Sequence, residues 1–370
     1  MNLLPLRLGL QQRVLPVYRV AFFDALAEVC AGQLSVFYGE PRADEGIESG
    51  NGLQKAVPAH AQNKHIFRGR AYFCLQPNFV PWLQHWQPEV LIVEANLRYL
   101  STPTAIDWMH AHHHPVIGWG LGVSNANPIE RALRRRFLHS LDAVIAYSRA
   151  GAEQYIAAGT PAERVFIAPN AVTFKPQTPA LDRPLEFAKG KPCLLFVGRL
   201  QERKHLDLLL EACAALKADF YPRLIIIGDG PDRARLEKLA QRIYPETEFV
   251  GARHGDQLEP YYQAADLFVL PGTGGLAVQQ AMAHSLPVVV GLADGTQGEL
   301  VREENGWLLE HADSHQLAKI LQQALSDIPR LRRMGRESRR IVEDEVNIEH
   351  MLEEFRHAVE FVTSVSGRRS

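Results

Sequence analysis

The chain has 370 residues, about two and a half ordinary domain lengths, which points to two domains. Forty Lys and Arg against forty-two Asp and Glu leave a net charge of −2, so a strongly basic nucleic-acid binder and an acidic tail protein are both excluded. With 46% hydrophobic and 22% charged residues the composition supports a sizeable core. No run of 18 apolar residues forms a membrane-spanning helix.

The N-terminal stretch Met1–Leu10 lacks a basic flank and a small-residue cleavage site, so no signal peptide is read and a cytoplasmic protein is expected. From there, short β-rich runs alternate with helical patterns. In the first half the strand-like runs are Gln33–Tyr38, Val90–Glu94, Pro115–Trp119, Ala143–Tyr147 and Val165–Ala168. The helical stretches are Tyr18–Cys30, Thr104–His112, Pro128–Leu141 and Ala150–Ala158. Pro41–His65 is polar and glycine-containing and reads as a loop. In the second half the runs are Cys193–Val197, Leu224–Ile227, Thr247–Val250, Leu267–Leu270 and Pro287–Val290. Ile328–Val362 reads as two packing helices. Apolar strands of four to six residues alternating with helices suit parallel sheets covered on both faces. The fold class expected is therefore α/β, with two doubly wound Rossmann-like domains facing a central cleft. The expected boundaries are 1–173 for the first domain, 174–192 for a proline-rich linker and 193–345 for the second. A C-terminal helix over 346–370 is expected to pack back on the first.

Four cysteines without a C-x-x-C pair read as reduced core thiols, and no metal site is expected from them. His110 and His112–His114 end a helix; metal binding and a solvated terminus are the two readings, the second favoured because no further ligand cluster has the right spacing.

Three stretches carry chemistry. Cys193-Leu-Leu-Phe-Val-Gly198-Arg199-Leu200 is a buried strand whose carboxyl end delivers Arg199, with Lys204 following at a helix start. Cations there oppose the helix macrodipole, so a bound anion is implied, against the plainer reading of a solvated turn. Leu224-Ile-Ile-Ile-Gly228-Asp229-Gly230-Pro231 is a strand and glycine turn with only part of a dinucleotide fingerprint. Leu267–Leu270, followed by Pro271-Gly272-Thr273-Gly274-Gly275-Leu276 and a helix, offers backbone N–H groups to a phosphate, or is simply a sharp turn.

Taken in order with Phe249-Val-Gly251, Tyr262, Ala265-Asp266, Ala281-Met282-Ala283, Leu286-Pro287-Val288-Val289 and Asn305-Gly306, these motifs resemble the donor domain of family-4 retaining glycosyltransferases of the GT-B fold (glycosyl transferases group 1). The resemblance spans roughly Pro192–Glu345. Gln12–Arg19 and Ala146–Asn170 are similar to the acceptor domain of bacterial members that build surface polysaccharides. The resemblance implies a nucleotide diphosphate sugar donor and a glycan or lipid-linked acceptor, with no metal required. Arg199 and Lys204 would then neutralise the donor diphosphate. Gly198, Gly230, Gly251, Arg253, Gly274, Gly275, Leu276 and Gln280 would contribute to donor binding. Where many members carry two glutamates eight residues apart, this sequence has Gly272 and Gln280. Where a histidine is usual in the first domain, it reads Gly118-Trp119-Gly120-Leu121-Gly122.

On the acceptor side, Arg19, Glu94 and Arg98 are candidates; Glu94 and Arg98 read equally as an ion pair with each other. Pro128–Leu141 is a basic amphipathic helix whose Arg131, Arg134, Arg135 and Arg136 suit anionic lipid, or a solvated face over a packed stripe. A non-catalytic nucleotide-sugar-binding protein of the same fold and a sugar-nucleotide epimerase are the competing readings.

Overall fold

The computed structural model describes residues 3–42, 45, 47, 49–50, 52–123, 128–292 and 297–366, the side chains of 70 and 366 excepted. Contacts divide the chain into two units, Met1–Val172 with Ile348–Ser370, and Thr173–Asn347.

Unit 1 begins with β1 (Leu8–Val14), α1 (Val20–Val29), β2 (Leu34–Gly39), β3 (Val57–His60), β4 (Lys64–Ile66), β5 (Phe73–Leu75) and α2 (Phe79–Trp86). It continues with β6 (Val90–Glu94), α3 (Thr102–Ala111), β7 (Val116–Gly120), α4 (Pro128–His139), β8 (Ala143–Ala146), α5 (Arg149–Ala157) and β9 (Val165–Ile167). Seven strands form one parallel sheet in the order β3-β2-β1-β6-β7-β8-β9, and β4 and β5 pair as a small antiparallel ribbon. Chain order runs outward from β1 to β3, then restarts at β6 and runs the other way. Such a reversal leaves a crevice at the carboxyl ends of the two neighbouring strands.

Several elements of unit 1 are absent from the sequence reading, β1 and β3 among them. The alternation rule misses β1, because Gln11-Gln12-Arg13 breaks the apolar run. The amides are nonetheless buried and satisfied: Gln11 Nε2 donates to Gln76 Oε1 at 2.8 Å, and Gln76 Nε2 donates to Asn63 Oδ1 at 2.9 Å. A buried amide with its partners in place costs little, so a central strand tolerates it. The expected loop at 41–65 contains β3 and the start of β4; 43, 44, 46, 48 and 51 within it lie outside the described residues. β3 is an exposed edge strand, where Pro58 removes no needed ladder bond.

Unit 2 comprises β10 (Cys193–Val197), α6 (Leu206–Ala215), β11 (Arg223–Ile227), α7 (Arg233–Ile243), β12 (Glu248–Gly251), α8 (Glu259–Ala264) and β13 (Leu267–Leu270). It closes with α9 (Leu276–Ala283), β14 (Val288–Gly291), α10 (Gln297–Leu300), β15 (Gly306–Leu309), α11 (Ser314–Ser326) and α12 (Ile328–Asp344). Its sheet is parallel with the order β12-β11-β10-β13-β14-β15, reversing between β10 and β13. The strands β10, β13 and β14 are buried along their whole length, as sheets covered on both faces require. The stretch 174–192 lies within this unit. Arg183 donates to the carbonyls of Tyr262 and His284, Arg332 to that of Pro184, and Arg339 to that of Thr178, so guanidinium groups strap it down. After unit 2 the chain returns as α13 (Ile348–Ser366), whose Met351, Phe355 and Val359 are part of the unit 1 core beside Phe22 and Trp119. All four cysteines are free and buried.

The turns after β10 and β11 touch. Gly228 has φ +141°, and a Cβ on it would lie 1.9 Å from the Gly198 carbonyl oxygen. Gly228→Ala should therefore lower unfolding stability by about 2 kcal/mol or more, whereas Gly298→Ala, at a position facing open space, should stay within about 0.5 kcal/mol, as measured by urea denaturation.

Candidate functional site

The reversal point of unit 2 brings two loops together. One leaves β10 with Gly198-Arg199-Leu200 and turns at Glu202–Lys204 into α6. The other leaves β13 and runs through Gly272–Gly275 into α9. Three bonds clamp them. The Thr273 N–H donates to the Arg203 carbonyl at 3.1 Å, Arg203 Nη1 donates to Thr273 Oγ1 at 2.7 Å, and Lys204 Nζ donates to the Thr273 carbonyl.

Lys204 is only 8% exposed. A buried ammonium is costly unless hydrogen bonds and negative charge surround it. Here it stands beside the amino end of α9, where backbone N–H groups already favour an anion. Arg199 is half-buried one step from β10. Leu200 behind it exchanges backbone bonds with Asp229 and Asp232, which joins the turn after β10 to the turn carrying Gly230. Gly251 ends β12 with the Arg233 and Arg253 guanidinium groups as its nearest side chains, so basic groups ring this edge of the sheet.

Gly272 has a structural reason. A Cβ there would lie 2.1 Å from the Arg203 carbonyl oxygen and 2.6 Å from the Lys204 Cα. No side chain fits between the two loops as they are clamped, so a glutamate at 272 requires a different loop path. Gln280 sits on α9 with its Oε1 accepting from the buried Tyr262 hydroxyl at 3.2 Å. Tyr262 stacks on His284, whose Nδ1 meets the Gln280 carbonyl at 2.7 Å, so the amide is held with its NH2 as the remaining donor. Gln297, which sequence reasoning did not single out, is fully buried and donates to the Gly274 carbonyl at 3.1 Å.

In unit 1 the reversal point lies between β1 and β6. A pocket of about 460 Å³ opens beside it, at the carboxyl ends of β6 and β7, lined by Glu94, Asn96, Arg98, Trp119, Arg134 and Tyr147 among others. Arg19, from the turn after β1, is buried with its guanidinium 4.3 Å over the Trp119 ring. Glu94 and Arg98 thus share one pocket. The Glu94 carboxylate takes the Arg13 backbone N–H at 2.5 Å, and its own N–H donates to Gln11 Oε1 at 3.2 Å. Burial pushes the Glu94 carboxyl up to about 7, against the pull of the Arg13 N–H and of the Arg13 and Arg19 charges.

The histidine run does not gather ligands. His110 pairs with Asp142 at 3.0 Å, and His112 bonds the Trp108 carbonyl at 2.7 Å. Among the described residues no cluster of three His, Cys, Asp or Glu is placed to hold a metal ion. On α4 the apolar stripe is only half packed: Phe137 and Leu138 are buried, while Ile129 and Leu133 are exposed beside Arg131, Arg135 and Arg136, and Arg134 is half-buried. No helix among the described residues is long and apolar enough to cross a membrane.

Comparison with known proteins bears on this edge of unit 2. Residues 177–341 match the family described as glycosyl transferases group 1. The match lies within unit 2 and spans less than half of the chain. A GDP-mannose-dependent alpha-mannosyltransferase of Mycobacterium tuberculosis is 37% identical over 182 residues, 47% of this chain and 46% of that protein. The sulfoquinovosyl transferase SQD2 of Arabidopsis thaliana is 33% identical over 182 residues, 46% of this chain and 35% of that protein. The chain thus spans less than half the length of these relatives. The structure of HepE from Anabaena, solved in complex with UDP, superposes with a TM-score of 0.71 at 17% identity, over 97% of this chain and 100% of that one. The fold is accordingly that of the GT-B glycosyltransferases, with a doubly wound parallel sheet in each unit.

The raised Glu94 carboxyl makes stability depend on pH. The folded chain binds this proton more tightly than the unfolded one between pH 4.5 and about 7, so the protonated carboxyl stabilises below that window and the contribution is lost as pH rises through it. Glu94→Gln should therefore gain in melting temperature relative to the parent between pH 5 and pH 8, with a ceiling of about 3 kcal/mol. Parallel melting curves at the two pH values check this.

Proposed function

We propose that the protein is a glycosyltransferase that moves a sugar from a nucleoside diphosphate donor to a glycan or lipid-linked acceptor in surface polysaccharide or glycolipid synthesis. The observation that carries the reading is the buried Lys204 ammonium clamped to the glycine loop at the reversal point of unit 2. Arg199 and Lys204 would bind the diphosphate and stabilise the charge that develops on it as the glycosidic bond breaks. That is the work a divalent metal does in other phosphate sites, so transfer is expected without one. The amino end of α9, with Gly274, Gly275 and Leu276, would hold the distal phosphate and the donor sugar. Gln280 would offer its NH2 to a ribose hydroxyl, with Gly198, Gly230, Gly251 and Arg253 shaping the rest of the donor edge.

The relatives' names include GDP-mannose and the structural neighbour holds UDP, so both bases belong in the first screen. Retention of configuration is proposed from the resemblance of the motif order to retaining enzymes, and unit 1 is taken as the acceptor side, with Arg19, Glu94 and Arg98 as its polar groups. The half-packed α4, with Arg131, Arg134, Arg135 and Arg136, is taken to touch anionic lipid at the inner face of a membrane.

Three measurements follow. Melting temperature with UDP-, GDP-, ADP- and CMP-sugars, with and without magnesium, should rise for one nucleotide class independently of metal. Arg199→Ala or Lys204→Ala should abolish that shift and lower turnover at least a hundredfold; unchanged turnover in both would refute the clamp. Co-sedimentation with vesicles containing phosphatidylglycerol should weaken roughly fivefold for each of the four α4 arginines changed to Gln.

A further inference from the structure

Two buried donors at the unit 1 pocket are left without an acceptor. Trp119 Nε1 and Arg19 Nη1 are buried without a hydrogen-bond partner. Arg19 is 3% exposed. Its guanidinium lies 4.3 Å from the Trp119 ring centroid and 5.5 Å from that of Tyr147, both of them pocket residues, and 5.5 Å from that of Tyr18. Aromatic faces hold a cation in place, but they do not take up its N–H groups. A buried charged donor left in this condition is expensive, and a native site that keeps one has a use for it.

The rest of the pocket adds positive charge, since Arg98 and Arg134 line it as well. The carboxylate among the lining residues, Glu94, lies within reach of the Arg19 charge but gives its oxygen to the Arg13 N–H, so it does not take up the Arg19 donor. What complements this wall is a group that brings acceptor oxygens and negative charge. A neutral sugar hydroxyl brings a donor along with its acceptor and no charge. A phosphoryl or carboxylate group brings oxygens only, and a guanidinium grips such oxygens in a fork. The pocket lies at the carboxyl ends of β6 and β7, next to the crevice between β1 and β6 where doubly wound sheets take their ligands, and Arg19, which follows β1, backs its wall behind Trp119 and Tyr147.

We propose that this pocket seats the acceptor by an oxyanion, phosphoryl or carboxylate, with the Arg19 guanidinium as its anchor and Trp119 Nε1 as a neutral second donor. The proposal rests on reading unit 1 as the acceptor side. It narrows that side to acidic acceptors: a lipid-linked glycan read through its phosphate, or an acidic sugar read through its carboxylate.

The test uses the full chain carrying Arg199→Ala and Lys204→Ala, so that the anion cradle of unit 2 is silent. Pyrophosphate and glucuronate are titrated separately, and the tryptophan emission is followed. A saturable change is expected with at least one probe, and it should vanish in Trp119→Phe. Adding Arg19→Gln should weaken the affinity at least tenfold; Arg19→Lys, which keeps the charge and loses the fork, should fall in between. Response to pyrophosphate alone assigns a phosphoryl acceptor, and response to glucuronate alone an acidic sugar. No saturable change with either probe, or equal affinity after Arg19→Gln or Arg19→Lys in a chain of unaltered melting temperature, overturns the proposal. Failure here leaves the donor reading standing, because that reading is tested by nucleotide binding to the chain with Arg199 and Lys204 intact.

Discussion

A parallel sheet whose strand order reverses must leave a crevice where neighbouring strands send their loops to opposite faces. In unit 2 that place lies between β10 and β13, and the Lys204–Thr273 contact closes it. Much of the local structure answers to this contact. It buries an ammonium, forces a glycine at 272, and fixes the direction in which α9 presents its amino end. The Arg203–Thr273 bonds and the Gln297–Gly274 bond hold the same loop from two further sides. The result is a preorganised anion cradle whose donors need little rearrangement when charge builds on a leaving group.

Unit 1 applies the same topology to a different chemistry. Its crevice lies between β1 and β6, but no glycine loop follows β6. Aromatic rings and arginines occupy the position instead, and Trp119 packs against Phe22, Phe355 and Tyr147 while carrying Arg19 on its face. The Gln11–Gln76 amides behind the crevice replace apolar packing in a central strand. Hydrogen-bonded amides tie β1 to the segment before α2, and Gln11 also receives the Glu94 N–H, so the carboxylate is positioned through the strand beside it.

The strands that sequence made legible are those with unbroken apolar runs, such as Leu224–Ile227 and Leu267–Leu270, because a sheet covered on both faces asks for nothing else. The order of motifs in the second half carried the family. β1 stayed hidden, since its polar residues are compensated by partners distant in sequence, Gln76 for Gln11 and Glu45 for Arg13, which no local window contains. The helix α2 was hidden for a related reason: Phe79-Val-Pro-Trp-Leu-Gln-His-Trp is rich in aromatics and carries a proline near its start, so it reads as neither period. Gly272 and Gln280 look from sequence like losses. In three dimensions Gly272 is demanded by the Arg203 carbonyl, and Gln280 is held by Tyr262. The orphan donors of Arg19 and Trp119 have no sequence signature at all, because being unpaired is a property of neighbours and not of residues.

The central claim is that the loop from 272 to 276 and the Lys204 turn form the donor diphosphate site. Backbone hydrogen exchange, with and without the nucleoside diphosphate that binds, tests it most directly. The account predicts that the amides of Thr273, Gly274, Gly275 and Leu276 slow markedly on binding, while those of β4 and β5 do not change. Saturating nucleotide that leaves the 272–276 amides at their original rates, while protecting another part of the chain, would contradict it.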